Sequence, residues 1–222
     1  MRLSTAISLV LLTATCVPAA ASASHKPGHT PGPPSPGESL TIGAEPSPVV
    51  YGGIVLISGR LTSPVRAGKS IVLESDRFPY DGFAPAGNVT TGPSGNYSFT
   101  ERPGANVRYR VRQGNLLSPV TTVLVRIRVG MRVSDRTPER GERVRFFGRA
   151  CPQHAGALVR IQLRLPGRWT TVARTRTGEA TRCSSYSRRL RVFADDRYRV
   201  VVAGDEDHAR GISRSRFLDV VR

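Results

Sequence analysis

The chain has 222 residues, with 33 Lys and Arg against 16 Asp and Glu, a net charge of +17 and 39% hydrophobic residues. Its length suits one large or two modest β domains once a leader is set aside, and its charge directs the search for partners to polyanions. Beyond the first 23 residues no segment is apolar enough to cross a bilayer, and the 3 cysteines, with only His154 near them, lack the four closely spaced ligands of a structural zinc module, so neither a spanning helix nor a metal site is expected.

Residues 1–23, MRLSTAISLVLLTATCVPAAASA, combine one Arg, an apolar run and an A-x-A ending at Ala21 and Ala23. This predicts a signal peptide cleaved after Ala23 and a mature protein that is secreted, extracellular and associated with the cell wall. Thr13, Ala14 and Thr15 before Cys16 lack the Leu and small residue of a lipidation signal, so Cys16 is expected to leave with the leader. Residues 24–48 hold seven prolines and little apolar periodicity, which predicts a stiff, disordered linker. Its His25 and His29 read as solvated and inert.

An internal repeat follows. Residues 52–73, GGIVLISGRLTSPVRAGKSIVL, are similar to residues 141–163, GERVRFFGRACPQHAGALVRIQL. Gly59-Arg60 matches Gly148-Arg149, Ala67-Gly68 matches Ala155-Gly156, Tyr97-Ser98 matches Tyr186-Ser187, and Tyr109-Arg110-Val111 matches Tyr198-Arg199-Val200. Two copies of one domain are therefore expected, over 49–126 and 127–222. Each copy reads as short strands of period two broken by Gly, Pro, Ser and Asp. In the second copy the strands are placed near 129–134, 143–149, 158–165, 169–177, 185–193, 197–203 and 212–221, a number and spacing that suit a β-sandwich.

The pattern Gly59-Arg60, Ala67-Gly68, Val72-Leu73, Gly95-Asn96-Tyr97-Ser98-Phe99 and Tyr109-Arg110-Val111 resembles the immunoglobulin-like or transthyretin-like β-sandwich repeats of secreted actinobacterial proteins. The resemblance implies an all-β fold, a tandem of two immunoglobulin-like antiparallel β-sandwiches after a signal peptide and disordered linker, and no particular activity. The second copy departs from it at Ser184 and Arg188, which replace the Gly and the Phe and leave the register of 181–193 open.

With the leader removed, Cys151 and Cys183 remain, and an even pair in an oxidising compartment predicts a disulfide. Within an immunoglobulin-like sandwich, Cys151 ends the second strand and Cys183 precedes the fifth. Those strands are antiparallel neighbours, so the bridge would staple one sheet of the second domain.

Only Lys26 and Lys69 are lysine, so nearly all the positive charge is arginine. Two readings fit: a need for planar, bidentate guanidinium contacts, or the codon usage of a GC-rich genome. Residues 49–126 carry 9 basic and 4 acidic side chains, whereas residues 127–222 carry 22 and 10. Strand alternation turns Arg143 and Arg145 outward with Arg189 and Arg191 on one sheet, and Arg160, Arg164, Arg197 and Arg199 outward on the opposite face. Arg174, Arg176, Arg214 and Arg216 are ambiguous in facing. Such faces suit an anionic cell-wall polymer or other surface polyanion, such as teichoic acid, phosphorylated glycan, anionic lipid headgroups or extracellular DNA. Sequence-specific nucleic-acid recognition is not expected, because no aromatics are spaced for stacking and no helix is available to enter a groove.

His154 and His208 are the histidines of the folded part, and no serine sits in a G-x-S-x-G elbow. Asp195-Asp196 and Asp205-Glu206-Asp207 fall where turns are expected and read as turn chemistry rather than calcium ligands. Asn88-Val-Thr90 and Asn96-Tyr-Ser98 are formal glycosylation sequons, meaningful only in a eukaryotic chain. No catalytic, cofactor-binding or metal residues are assigned. The expected function is a secreted, non-enzymatic binding or adhesion module. The alternative is a passive structural spacer or subunit with no ligand of its own, whose arginines only confer solubility.

Overall fold

The computed structural model describes residues 37–221. The expected signal peptide, Cys16, His25, His29 and the first part of the expected linker lie outside the described residues. Domain one opens with β1 (Ser39–Leu40), β2 (Gly43–Glu45), β3 (Val49–Val50), β4 (Val55–Thr62) and β5 (Ser70–Arg77). It continues through β6 (Ala84–Thr90), β7 (Asn96–Glu101), β8 (Val107–Gln113), β9 (Leu116–Leu117), β10 (Thr121–Val123) and β11 (Val125–Arg126). Domain two holds β12 (Arg128–Val129), β13 (Arg132–Val133), β14 (Arg143–Cys151), β15 (Leu158–Leu165) and β16 (Arg168–Arg176). It ends with β17 (Ser184–Arg191), β18 (Asp196–Val202), β19 (Gly211–Ile212) and β20 (Arg216–Leu218). The described residues contain no helix.

Both domains are immunoglobulin-like sandwiches of antiparallel sheets. In domain one β4 sits between β7 and the pair β1 and β2, while β5 and β8 form the centre of a second sheet edged by β6, β9 and β10. Domain two repeats this order, with β14 between β17 and the pair β12 and β13, and β15 and β18 at the centre of the sheet edged by β16, β19 and β20. Alternation explains the assembly. Val55, Ile57 and Leu61 of β4 face Ile71, Leu73 and Val111 across one buried core. Val144 and Phe146 face Val159, Ile161, Val200 and Val202 across the other. Each such side chain removed from water contributes about 1.5–3 kcal/mol.

The residues that betrayed the repeat share one local device. Gly59 stands opposite Tyr97 and Gly148 opposite Tyr186. Each tyrosine hydroxyl crosses over its glycine and donates to the first strand segment, Tyr97 to the Thr41 carbonyl and Tyr186 to the Gly130 carbonyl at 2.6 Å. A Cβ on either glycine would run into both that carbonyl and the tyrosine oxygen. Burial pushes the Tyr97 hydroxyl up to about 12 and Tyr186 higher still, so both remain neutral donors.

The expected linker is too long. Ser39–Leu40 and Gly43–Glu45 pair with β4, so domain one begins near residue 39 rather than 49. The cause is apolar alternation hidden among prolines: Leu40 is buried in the core, and Ile42 and Ala44 pack against it. The open register of 181–193 is resolved with Tyr186 and Val192 in the core and Arg188 opposite Phe146, where domain one sets Phe99 opposite Ile57. Cys151 and Cys183 form the expected disulfide, with Cα atoms 4.4 Å apart, one step beyond the Ala150–Ser184 pair.

One loop of domain two carries hydrogen bonds to domain one. Residues 203–210, between β18 and β19, reach the end of domain one, where the Asn106 backbone N–H donates to the Asp207 carbonyl at 2.8 Å and its side-chain Nδ2 to the Glu206 carbonyl at 3.1 Å. Asn106 Oδ1 accepts from the Val125 N–H at 2.8 Å, so one side chain ties the loop to the strand that leaves domain one.

Candidate functional site

The outer face of the β14 sheet is lined as expected. Register sets Arg143 opposite Arg191 and Arg145 opposite Arg189, and all four are exposed. Like charges placed directly across strands are destabilising, by some tenths of a kcal/mol to about 1 kcal/mol. Arg191 Nη1 donates to the Gly141 carbonyl at 2.7 Å and Arg145 Nε to Ser187 Oγ at 2.8 Å, contacts that orient the guanidiniums without neutralising them.

Beside these lies a groove of about 980 Å³ whose rim carries Arg132, Arg145, Arg149, Arg176, Arg214 and Arg216, with no carboxylate in its lining among the described residues. β13 brings Arg132 alongside Phe147, β14 supplies Arg145 and Arg149, β16 supplies Arg176, and the last strand supplies Arg216. Arg216 Nε donates to the Met131 carbonyl at 2.9 Å, and Arg176 Nη1 to the Gly156 carbonyl at 2.7 Å. A guanidinium has five N–H donors, so each keeps most of its fork for a ligand.

On the second sheet Arg160, Arg164, Arg197 and Arg199 share the outer face, as expected, and Arg174 joins them opposite Arg160. These arginines are more engaged. Arg199 lies 4.3 Å and Arg164 5.5 Å from the Trp169 ring centre, and Arg197 5.9 Å from that of Phe217. Burial, with the Arg210 and Arg164 charges nearby, holds Arg199 below the usual guanidinium range.

The two copies differ in how they treat equivalent cations. In domain one Glu74 on β5, opposite Arg110, accepts from Arg110 Nε at 2.7 Å and Arg112 Nε at 2.8 Å. In domain two the same place on β15, opposite Arg199, holds Gln162, which accepts from Arg199 Nε at 2.8 Å. Exchanging carboxylate for amide keeps the hydrogen bond and drops the counter-charge. Among the described residues every arginine–carboxylate pair lies in domain one: those two and Arg108–Asp76 at 3.8 Å.

The acidic groups accept backbone hydrogen bonds, and only that of Asp205 is a local turn contact. Asp195 Oδ1 accepts from the Val220 N–H at 2.6 Å, Asp196 Oδ1 from the Arg197 N–H at 2.7 Å, and Asp205 Oδ1 from the His208 N–H at 2.9 Å. What the linear sequence left ambiguous was the groove itself. Arg176, Arg214 and Arg216 gather with Arg132 and Arg149 only when the ends of β13, β16 and β20 come together.

No protein-family model matches the chain, and no curated protein sequence is similar to it. Among solved structures the chain is similar to the "D0-D1 domain of Intimin", at 10% sequence identity over 82% of this chain and 99% of that one, with a TM-score of 0.32. A likeness that distant carries no argument here, and the fold stands on its own strand pairing.

Proposed function

We propose that this chain is a secreted, non-enzymatic adhesion module that attaches to an anionic surface polymer through the arginine-lined β14 sheet of domain two. The observation that carries the reading is charge left without a counter-charge. Domain two has 22 basic and 10 acidic side chains, and yet no arginine–carboxylate pair forms there among the described residues. Solubility alone would be served by interspersed charges of both signs, whereas facing pairs such as Arg145 and Arg189 cost stability. Repeating phosphates supply the missing counter-charge, and guanidinium forks match their geometry. The disulfide suits an oxidising, extracellular location.

The test is retention of the mature chain on immobilised polyphosphate across a salt gradient, beside a basic control protein of matched size and charge. Counterion release predicts that the chain is held to higher salt than the control. The triple variant Arg132→Ser, Arg145→Ser, Arg149→Ser should elute earlier, with a salt dependence shallower by roughly one per lost contact. Elution together with the control, unaltered by the substitutions, would leave the arginines as a solubilising coat and the chain as a spacer.

A further inference from the structure

Four side chains converge where domain two meets domain one. His154 lies in the loop after β14, and Asp205, Asp207 and His208 lie in the loop between β18 and β19. One ligand atom from each lies within 4.8 Å of every other. The imidazoles are buried, with side-chain exposures of 4% and 3%, and the carboxylates are partly open at 51% and 40%. The cluster therefore has a dry histidine floor and a carboxylate rim that water can reach.

Hydrogen bonds fix the histidine tautomers. His154 Nδ1 lies 3.0 Å from the Pro152 carbonyl, and His208 Nε2 lies 2.7 Å from the Gly104 carbonyl of domain one. A carbonyl oxygen only accepts, so each of those nitrogens carries a proton, and the nitrogen left to ligate is the other one of each ring. Those nitrogens, His154 Nε2 and His208 Nδ1, are buried and have no hydrogen-bond partner. Carboxylate oxygens stand near them: Asp205 Oδ2 is 3.2 Å from His154 Nε2, and Asp207 Oδ1 is 2.8 Å from His208 Nδ1 and 3.8 Å from His154 Nε2. They are close in distance but out of line for an N–H bond, so the carboxylate oxygens and the inward ring nitrogens converge without a hydrogen bond joining them. A ring whose far N–H is held by a backbone carbonyl and whose near nitrogen is free is how a protein orients a metal-ligating histidine.

We propose that His154, Asp205, Asp207 and His208 form a tetrahedral zinc site at the domain junction. Zinc takes imidazole nitrogen and carboxylate oxygen at about 2.0–2.2 Å in four-coordinate geometry. The four ligand atoms already lie within 4.8 Å of one another, and the two open aspartates are the side chains with room to swing toward a shared ion. Calcium would ask for six to eight oxygens, and the mixed nitrogen and oxygen set favours a transition ion. Two carboxylates balance the dipositive charge. The frame is already built, since Asp205 Oδ1 is engaged by the His208 backbone, leaving Oδ2 aimed inward, and the Asp207 carbonyl is held by Asn106. Bound zinc would fasten the loop between β18 and β19 to the loop after β14 while Gly104 and Asn106 grip it from domain one. The site is independent of the arginine faces. It also revises the sequence-based exclusion of a zinc module, which looked for ligands close together in the chain.

The experiment uses the mature chain carrying His25→Ala and His29→Ala, so that the tail histidines contribute nothing, stripped with chelator. Titration should load one zinc per chain and raise Tm by about 5–10 °C at a hundredfold excess over Kd. Cobalt at the site should give the intense visible absorption of a four-coordinate ion, and calcium at equal concentration should give no Tm shift. The double variant Asp205→Asn, Asp207→Asn keeps shape and the Asp205 turn hydrogen bond. It should bind zinc at least about 100-fold more weakly, with an unchanged or higher Tm in chelator. Failure to take up zinc at about 100 μM, a six-coordinate cobalt spectrum, or equal zinc affinity in the variant would each overturn the proposal and leave the cluster as doubly protonated histidines paired with aspartates.

Discussion

Arg145 and Arg189 face one another across β14 and β17, two exposed guanidiniums with no carboxylate of the described residues in ion-pairing reach of either. Arg145 is steadied by Ser187 and lies 4.9 Å from the Phe147 ring centre. Arg189→Ser should therefore relieve repulsion and stabilise the protein by some tenths of a kcal/mol to about 1 kcal/mol. It should at the same time lower the salt needed for elution from polyphosphate. Urea unfolding and salt-gradient retention on the same preparation check both signs.

Gln162→Glu should restore to domain two the counter-charge that Glu74 supplies in domain one. The new carboxylate would receive the Arg199 Nε that Gln162 now receives at 2.8 Å. Retention on polyphosphate should weaken if the second sheet takes part in binding, and should stay constant if the β14 face acts alone. Stability should change by less than about 1 kcal/mol, because the new pair is partly exposed.

Glu74 makes the opposite case. Hydrogen bonding from Arg112, opposed by burial and reinforced by Arg110, holds its carboxyl below the usual range. A depressed folded-state value means that the stabilisation is complete above the ordinary carboxylate value of 4.5 and fades as pH falls through the lower folded value. Glu74→Gln should cost about 2–3 kcal/mol at neutral pH, and its deficit against the parent should shrink as pH drops from 5 to 2. Denaturant unfolding across that range measures it.

Tyr186→Phe removes the hydroxyl that reaches the Gly130 carbonyl and should cost about 1 kcal/mol. Gly148→Ala should cost about 1–3 kcal/mol or more through overpacking. The double variant should not recover the loss, because the Gly130 carbonyl blocks the new methyl even when the hydroxyl is gone. Thermal melts of the three variants test this order.

Cys151→Ser with Cys183→Ser should destabilise domain two by about 3–4 kcal/mol on loop-closure grounds. Intact mass of the unreduced parent should lie 2 Da below that of the reduced chain, reporting no free thiols.

Strand positions and core composition were legible because both depend on short-range alternation, and the disulfide because two cysteines remain once the leader is set aside. Val144 and Phe146, or Val159 and Ile161, declare their inward phase within a few residues. The start of domain one was not legible, since Leu40, Ile42 and Ala44 are outnumbered by nearby prolines whose composition speaks for a linker. Arg143, Arg145, Arg189 and Arg191 could be placed on one face from phase alone. The groove could not, because Arg132, Arg176 and Arg214 come from segments whose meeting depends on how the edges of the sheets close. The histidine and aspartate cluster was hidden for a related reason: His154 and His208 are far apart in sequence, and Asp205 and Asp207 carry the ordinary signature of a turn.

The bridge between Cys151 and Cys183 encloses a sequence separation of 32. A chain attached to a surface through domain two is exposed to pulling, and the bridged stretch cannot be paid out as slack. At about 3.3–3.6 Å per extended residue, roughly 110 Å of contour is withheld from the unravelled length of domain two. Domain one, which has no cysteine, can be drawn to its full length. On the proposed attachment through domain two, loading would lengthen domain one by its full contour and domain two by its contour less the bridged stretch.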